Sequence, residues 1–540
     1  DSINQYLQLA WAGVAPMKSP SEKWNVNGAG EITLFYPVTF ELLDTHLSYL
    51  FENPSLANQG VSDLTISLVE KLNAFLPKML PLLHQQQAMI QLGSQLNEIY
   101  SKAVLIVNRE EKSGEKQQEE FYLQCLHNSK AYSIRVQLQN RKALTFAQVP
   151  DSIQLYEQEL KGRIWALKAL KNSNDAWATD LAGQEIEVQS EWSRFRNELS
   201  QIYPLYYSQR FQITDIDFLA IRKRLKKQKQ SLLAYFLVDE AMLTLVFDGQ
   251  KTFTSETRLS EGQLDSVVLY NTLINQRGTI ERILSLGYYL YQQFFETIDG
   301  QLQPNVLLFP DGPLSNLNFE LLLLEAPSGQ QAFHDIEWLL KKYAFQYANH
   351  LDKVSKVKTR GKPNLAVAPG FAKDLKEAYL KNTLPSLPID SMFLNWVSTP
   401  WSVQLLEDLK ESCWGNILLR SNATKHQVKR LGQNAKILHF ATHALVDDEY
   451  PLKSFLVLNP NPQEEDDGYL YASDLYSLEL NNDLVVLSAC QTGLGRYHSG
   501  EGVLSLAHAF QYAGTPSMVY SLWSIDDQQT NKLVKHFYQE

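Results

Sequence analysis

Apolar residues recur at intervals of three and four along the first part of the chain, a spacing typical of amphipathic helices. Over residues 61–107 this pattern predicts helices that Pro77 and Pro81 should separate, because proline ends or kinks a helix. A further helix is expected from about residue 119 to residue 144. We therefore predict that residues 1–150 form an all-α, repeat-like region of paired helices, which would be a degenerate TPR-like array because no regular repeat period is present.

A longer pair of amphipathic helices should follow. The first opens at Asp151 or Ser152, residues that cap helices well, and the second begins at Trp177 after a polar turn over residues 172–174. Two helices joined by a short polar turn form an antiparallel hairpin. We assign residues 151–214 to this long helical hairpin and linker.

The pattern changes near residue 215, where short apolar runs begin to alternate with helical segments. A basic helix, IRKRLKKQKQ, precedes the first pair of runs. The predicted strands are LLAYFLV, MLTLVF, NVLLFP, NLAVAP, KILHFATHA, SFLVL, DLVVLSAC and SMVYSLW. Strands that alternate with helices are typical of a mostly parallel sheet with helices on both faces. We therefore predict an α/β domain over residues 215–540.

Composition and charge narrow the possible functions. The 540 residues are 44% hydrophobic and 20% charged, and their formal net charge of -11 disfavours direct nucleic-acid binding. The basic run is then better explained as a solvated helix face. No apolar run reaches the ~18 residues that a membrane-spanning helix needs, and the start is unlike a signal peptide. We expect a cytoplasmic protein that does not bind membranes.

The three cysteines, Cys125, Cys413 and Cys490, are far apart in the sequence. An odd number with wide spacing and no CxxC pair does not fit a disulfide framework, a zinc–thiolate site or a redox motif. A reducing compartment, in which a single thiol can serve as a nucleophile, fits this pattern better.

Two of the predicted strands end at reactive side chains, ILHFAT at His443 and LVVLSA at Cys490. Parallel sheets place ligands at the carboxyl ends of their strands, so neighbouring strands would bring these residues together. An imidazole can then accept the thiol proton or stabilise the thiolate. The glycine-rich segments QTGLG and SGEG could present backbone N–H groups to an oxyanion, and a helix, GVLSLAHAFQYAG, should follow.

The segments around these two residues form a recognisable set: HFATHA, DGYLYASDLYSLEL, LVVLSACQTGLG, SGEGVLSLAHAF and SLWSIDD, with LLFPDGPLSNLNFELL before them. This set resembles the CHAT family of caspase-like peptidases. The resemblance implies a caspase-like α/β fold, often behind TPR-like repeats, with His443 and Cys490 as the catalytic dyad. It implies backbone N–H groups of Cys490 and Ala444 as oxyanion donors. Because the family usually continues with a further helix and strand, we expect the C-terminus to be truncated.

The segment SLWSIDD also bears on substrate choice. In caspase-like folds the strand after the nucleophile and the loop behind it line the pocket for the P1 side chain. By this resemblance Ser521, Trp523, Asp526 and Asp527 are predicted to line that pocket, and the two carboxylates would pair with a basic P1 side chain. The alternative for Asp526 is a structural role as the cap of the next helix.

Structural explanations compete with the catalytic one. Cys490 could be an ordinary buried cysteine, but the matching histidine strand and the glycine-rich loop favour catalysis. His439 and His443 are four residues apart, yet they lie on a strand without a third ligand, so no metal is predicted and His439 is interpreted as a core residue. His498 and His508 follow Cys490, and either could approach the site.

The predicted function is a regulated cysteine endopeptidase that cleaves a dedicated protein substrate and needs no metal or organic cofactor. A regulatory partner is expected to bind the helical region, because repeat-like helices form concave binding surfaces. The resemblance adds bacterial defence or cell death as a setting. The alternative is a catalytically silent interaction scaffold with a caspase-like fold, and a third hypothesis is an acyl transferase that uses the same dyad.

Overall fold

A computed structural model of the chain describes residues 43–539 apart from 54–60, 80–85, 111–114, 138–149, 172–177, 204–215, 261, 277, 329–331, 352–361, 384–388, 412–413, 462–465 and 491. The described residues fall into two compact units. The first contains the described parts of Asp1–Gln139, Phe211–Asp352 and His498–Gly502, and the second those of Asn140–Arg210, Lys353–Tyr497 and Val503–Glu540. The predicted helical amino-terminal region and carboxy-terminal α/β fold are both confirmed. The boundaries proposed at residues 150 and 215 stay predictions.

Helices form the amino-terminal part of the first unit. They comprise residues 43–52, α1 (Val61–Met79), α2 (Gln86–Asn108), α3 (Glu115–Ser129) and residues 132–137. Apolar positions three and four apart are buried, as Leu68, Leu72 and Leu76 are in α1. This burial of one face is what the sequence spacing predicts.

Residues 61–108 are divided into separate helices, as predicted, but two of the predicted helix ends in this region are misplaced. Helix α1 continues through Pro77 to Met79, because a proline in the last turn removes only one backbone hydrogen bond. The helix predicted over residues 119–144 instead ends at Ser129. The chain then takes a left-handed conformation at Ala131, with φ at 46°, and that conformation cannot continue a right-handed helix.

The first unit also contains a mixed sheet. Its strands are β1 (Gln230–Val238), β2 (Ala241–Phe247), β3 (Thr252–Arg258), β4 (Asn305–Phe309) and β5 (Ala344–Tyr347), ordered β3–β2–β1–β4–β5. Strands β1 to β3 are antiparallel, whereas β4 and β5 run parallel to β1. The accompanying helices are α6 (Phe218–Gln228), α7 (Gln263–Asn275) and α8 (Ile280–Phe294). The apolar run of β1 is buried almost throughout, as expected of a central strand.

A buried ion pair lies at the carboxyl end of β4. The side chain of Asp311 is 1% exposed, and its Oδ1 is 2.6 Å from Nζ of Lys130, which is 8% exposed. The other oxygen, Oδ2, accepts a hydrogen bond from the backbone N–H of Leu237 at 3.0 Å. A buried carboxylate is tolerated only with such compensation. Asp311 therefore has a structural role and fastens the ends of β1 and β4 to the turn after α3.

Replacing Lys130 by methionine should lower the free energy of unfolding by about 3–5 kcal/mol, because the buried Asp311 carboxylate would lose its cation. Guanidinium denaturation of Lys130→Met and of the parent chain measures this change. The matched control is Lys341→Met, which removes a partly exposed pair with Glu337 and should cost less than about 1 kcal/mol. Equal effects of the two substitutions would contradict the burial argument.

The second unit begins with the predicted helical hairpin. Its helices are α4 (Asp151–Lys171) and α5 (Ala178–Ile202). They run antiparallel, since Tyr156 packs against Phe195 of α5 whereas Arg163, later in α4, bonds to Glu191, earlier in α5. Their shared core consists of Leu160, Trp192, Phe195 and Leu199. The predicted turn at residues 172–174 lies outside the described residues.

A parallel sheet forms the centre of the second unit. Its strands and those of two small sheets are β6 (Asn364–Ala368), β7 (Gly415–Leu419), β8 (Ile437–Ala441), β9 (Ala444–Leu445), β10 (Phe455–Val457), β11 (Tyr469–Tyr471), β12 (Leu484–Ser488), β13 (Arg496–His498), β14 (Gly502–Leu504) and β15 (Met518–Val519). The five-stranded sheet has the order β15–β12–β8–β6–β7 and is entirely parallel. The small sheets are β11–β10–β9 and the hairpin β13–β14.

Helices accompany this sheet along the chain. They are α9 (Lys373–Asn382), α10 (Ser391–Asn395), α11 (Pro400–Glu411), α12 (Lys425–Gly432), α13 (Ala472–Ser477), α14 (Leu506–Tyr512) and α15 (Asp527–Gln539). The sheet contributes to two buried apolar clusters, one that includes Phe440 and Phe510 and one that includes Ala366 and Leu406. None of the helices in the described ranges is both long and apolar enough to cross a membrane.

Candidate active site

The two reactive residues singled out in the sequence leave the parallel sheet at the same level. Strands β8 and β12 are neighbours, and their register pairs Ala441 with Ser488 at the last position of both strands. His443 comes two residues after Ala441, and Cys490 comes two residues after Ser488. Because both strands are parallel, the two residues emerge at one carboxyl edge, where open α/β sheets place their sites.

Aromatic rings enclose the imidazole of His443. The Trp396 ring is stacked on it, with 5.0 Å between centroids and 22° between planes, and the Phe371 ring lies 5.0 Å away. The Nε2 atom is 2.7 Å from the backbone carbonyl oxygen of Val397. Nζ of Lys376 donates to the Trp396 carbonyl at 2.6 Å and holds this segment in place. The plane of the imidazole is therefore set by its surroundings.

The Val397 carbonyl also determines which nitrogen of His443 can act as a base. A carbonyl oxygen only accepts hydrogen bonds, so Nε2 must carry a proton. In the neutral ring Nδ1 then has a free lone pair and can accept a proton. Burial lowers the pKa of His443 below its ordinary value of 6.5, against the opposing effects of the Val397 hydrogen bond and the Asp527 charge. The side chain is thus suited to be a neutral base near pH 7.

Cys490 lies partly exposed in the turn directly after β12. Its Sγ is 3.7 Å from the carbonyl oxygen of Ile525. Before the cysteine, the Ala489 carbonyl accepts a hydrogen bond from Oγ of Ser521 at 2.6 Å. After it, the N–H of Gly493 donates to the Ser521 carbonyl at 3.0 Å. The segment that begins at Ser521 therefore supports the nucleophile loop on both sides of Cys490.

The predicted oxyanion donors are the backbone N–H groups of Cys490 and Ala444. In the β9–β10 ladder the hydrogen bond runs from the N–H of Val457 to the His443 carbonyl at 2.9 Å. This makes Ala444 and Leu456 a non-hydrogen-bonded pair, so the ladder does not use the Ala444 N–H. The arrangement is compatible with a donor role for Ala444, and the roles of both N–H groups stay predictions.

The glycine-rich segment after Cys490 forms a hairpin, and the long helix predicted there is wrong. The residues GVL form strand β14, and helix α14 starts only at Leu506. Its cap is Ser505, whose Oγ accepts a hydrogen bond from the N–H of His508. Gly502 has a φ of 84°, which is a left-handed conformation that no right-handed helix contains.

The residues predicted to line a P1 pocket have structural partners. Oδ1 of Asp526 accepts the N–H of Gln529 at 2.9 Å, so Asp526 caps α15, which is the alternative that the sequence left open. Ser521 supports the nucleophile loop. Trp523 is partly exposed on the same segment. These contacts do not test a role in substrate binding, which stays a prediction.

Asp527 has a different partner from Asp526. Its carboxylate accepts the backbone N–H groups of Trp401 and Ser402 at 2.9 and 3.0 Å, and also the Oγ–H of Ser402 at 2.6 Å. It therefore caps the amino terminus of α11. Its charge also acts on His443, where it favours the protonated imidazole. A pocket role for Asp527 stays a prediction as well.

No sequence pattern predicts the residues that hold His443. Phe371, Lys376, Trp396 and Val397 come from the connection between β6 and α11, far ahead of His443 in the chain. The segment MFLNWVS contains apolar residues that fit no predicted strand. One of them, Val397, is 72% exposed, so burial in a core does not explain it. Nothing in their spacing connects these residues to the imidazole.

The other histidines that the sequence singles out have the following surroundings. His439 is buried in β8, its Nε2 is 2.8 Å from Oγ of Ser488, and burial lowers its pKa to about 3. Nδ1 of His508 is 2.8 Å from the Tyr476 hydroxyl. His498 ends strand β13. In the part of the chain that the structure describes, no group of three or more His, Cys, Asp and Glu side chains could hold a metal ion.

The fold and the candidate site together define an α/β domain with a thiol and an imidazole at the ends of neighbouring parallel strands, as in caspase-like domains. Residues 284–540 match the family model described as the CHAT domain. The chain therefore carries a CHAT domain over these residues, a caspase-like domain whose family includes cysteine peptidases. No curated relative matches the chain.

Proposed function

We propose that this chain is a regulated cysteine endopeptidase, with Cys490 as nucleophile and His443 as base. The observation that carries the proposal is the hydrogen bond from Nε2 of His443 to the Val397 carbonyl. This bond leaves Nδ1 as the proton acceptor, at the carboxyl edge of the sheet from which Cys490 also emerges. Burial keeps the imidazole neutral, as a base needs to be.

The first half of the reaction is acylation. Nδ1 of His443 takes the thiol proton as Sγ of Cys490 attacks the carbonyl carbon of the scissile peptide. The backbone N–H groups of Cys490 and Ala444 stabilise the oxyanion that forms. Nδ1–H then donates its proton to the leaving nitrogen, the C–N bond breaks, and an amine and a thioester result.

The second half is hydrolysis of the thioester. Nδ1 of His443 takes a proton from water as the water oxygen attacks the thioester carbonyl carbon. The C–S bond breaks, the carboxylic acid leaves, and the proton on Nδ1 returns to the Cys490 sulfur. No metal or organic cofactor takes part in the proposed cycle.

We also propose that a protein partner binds the helical amino-terminal region and thereby controls the protease activity. Support comes from the helices themselves, since paired helices offer surfaces for proteins. The CHAT domain supports peptidase chemistry, and we propose a dedicated protein substrate in a setting of bacterial defence or cell death. For the pocket, we propose Ser521, Trp523, Asp526 and Asp527, with the carboxylates selecting a basic P1 side chain.

The test is cleavage of a peptide library by the chain and by Cys490→Ala. The parent should cleave at least about 10³-fold faster than the variant, and Arg or Lys at P1 would support the acidic pocket. Equal cleavage by both proteins would rule out Cys490 as nucleophile. If neither protein cleaves the library, labelling with an electrophilic thiol probe distinguishes an inactive protease from the silent scaffold. A Cys490 that reacts no faster than Cys413 would favour the silent scaffold.

A further inference from the structure

The hairpin that follows Cys490 is held at its tip by hydrogen bonds. Its tip, residues 499–501, lies in the first compact unit with the amino-terminal helices. The tip contacts α2 and the turn after α3, which are nearly four hundred residues earlier in the sequence. We call the residues that hold the tip the hairpin clasp: Gly93, Ser94, Asn97, Ala131 and Ser133.

Glu501 is the centre of this contact. Glu501 is only 1% exposed. One carboxylate oxygen accepts the backbone N–H of Ser133 at 2.9 Å, and the other accepts the Ser133 Oγ–H at 2.6 Å. A carboxylate withdrawn from water depends on such donors. A movement of Ser133 would therefore move Glu501 or break these two hydrogen bonds.

The backbone of the tip is held as well. Oγ of Ser94 donates to the Ser499 carbonyl at 2.8 Å, and Nδ2 of Asn97 donates to Ser499 Oγ at 3.1 Å. The N–H of Ala131 donates to the Gly500 carbonyl. Two of these donors are side chains one turn apart on α2, so this helix presents a matched pair of groups to the tip.

Two glycines make the close approach possible. A Cβ atom on Gly93 would lie 2.7 Å from a Glu501 carboxylate oxygen, and one on Gly500 would lie 2.1 Å from the Gly93 carbonyl oxygen. Gly500 also has a φ of 78°, which favours glycine. Glycine inside a helix is unfavourable relative to alanine. Its presence at residue 93 of α2 is explained by the room that the tip needs.

The strands of the hairpin lead from the tip directly to the nucleophile loop. Gly495, which precedes β13, is so close to the Leu504 backbone that a Cβ would lie 2.4 Å from its carbonyl oxygen. The Thr492 carbonyl accepts the N–H of Ala507 at 3.3 Å. On the other side, Ser505 follows β14 and caps α14. The segment from Thr492 to Gly495, which links the nucleophile loop to the hairpin, thus packs against residues 504–507.

We propose that Glu501 is a positioning residue for the nucleophile loop, and that movement of α2 or of the turn after α3 alters the placement of Cys490 through the hairpin. A protein partner on the amino-terminal helices would then regulate the protease by engaging or releasing the clasp. The catalytic consequence rests on the proposed function. The mechanical link from clasp to loop does not depend on it.

The experiment disturbs the clasp in three ways in the full chain. Ser133→Ala removes one donor, Glu501→Gln removes the charge but keeps the shape, and Gly93→Ala adds a methyl group against the carboxylate. Gly183→Ala is the matched control, because Gly183 lies inside α5 and a Cβ added there would have no neighbouring atom within 4 Å. Hydrogen exchange of residues 492–504, alkylation of Cys490 and kcat/KM are the three measurements.

Release of the clasp should speed amide exchange about 10-fold or more at the tip and at residues 492–495 together. The alkylation rate of Cys490 should change by at least about 3-fold, and kcat/KM should fall by about 10–100-fold with a smaller change in KM. Gly183→Ala should leave all three within about 2-fold. If Gly93→Ala fails to fold, shown by alkylation of the buried Cys125, the milder Ser133→Ala decides the result.

Two results would overturn the proposal. One is faster exchange at the tip while exchange at residues 492–495 and alkylation of Cys490 stay at parent levels. The other is unchanged exchange at the tip in every variant, which would mean that these bonds do not hold it. A chain without peptidase activity would refute the proposed function, but exchange and alkylation would still report on the clasp.

Discussion

Replacing His443 by alanine should lower kcat/KM at least about 10³-fold while leaving the fold intact. In the proposed mechanism, loss of Nδ1 leaves no group to take the thiol proton during attack or to protonate the leaving amine when the C–N bond breaks. Initial-rate kinetics on the preferred peptide measure the loss. The matched control is His536→Ala, an exposed histidine on α15, which should stay within about 2-fold of the parent.

The direction in which kcat/KM changes with pH also tests the role of His443. Burial depresses the pKa of His443 below 6.5, so the imidazole stays neutral at pH 7 and becomes protonated only in more acidic solution. The acid limb of kcat/KM, which reports the free enzyme's base, should therefore reach half its maximum below pH 6.5. Activity that instead disappears as the pH rises through 7 would indicate that the protonated imidazole is needed, as in a thiolate–imidazolium pair.

Replacing Gly493 by alanine should lower kcat/KM by about 100-fold, because the added methyl group has no room. A Cβ at this position would lie 2.3 Å from a ring carbon of Tyr520 and 2.8 Å from a methyl carbon of Leu522. The N–H of Gly493 also donates to the Ser521 carbonyl, so the loop cannot retreat without losing that bond. A displacement of about 1 Å would then be passed to Cys490, three residues earlier.

A double variant separates steric displacement from general damage. Gly493→Ala with Tyr520→Ala creates the missing space, and it should recover at least about 10-fold of the lost kcat/KM relative to Tyr520→Ala alone. Alkylation of Cys490 should change in the single variant and return towards the parent rate in the double one. If Gly493→Ala retains parent activity, the aromatic ring does not constrain the nucleophile loop.

The parts of the fold that could be predicted are those with a local signal. Strands β8 and β12 are short apolar runs, each followed two residues later by a reactive residue, and a parallel sheet places such ends at one edge. The antiparallel pair α4 and α5 likewise follows from two amphipathic segments around a polar turn. Neither of these inferences depends on knowing which distant residues come into contact.

The parts that could not be predicted depend on contacts between residues far apart in sequence. The left-handed Ala131 interrupts what reads as one continuous helix, and its N–H bonds to Gly500. Val397 approaches His443 through a backbone carbonyl, which every residue possesses and no sequence pattern marks. The apolar character of GVL suits a helix and a strand equally, whereas the tip beside these residues is held by residues near position 133.

The supports of Cys490 also imply an order of events during synthesis. Ser521 and Ile525, which touch the nucleophile segment, and Asp527, which caps α11, are all translated more than thirty residues after Cys490. At about 5–20 residues per second, the ribosome delivers the thiol seconds before these supports exist. A nascent chain that ends before Ser521 therefore lacks the contacts that shape the Cys490 loop, and the newly made protein cannot assemble this site until that later stretch has been made.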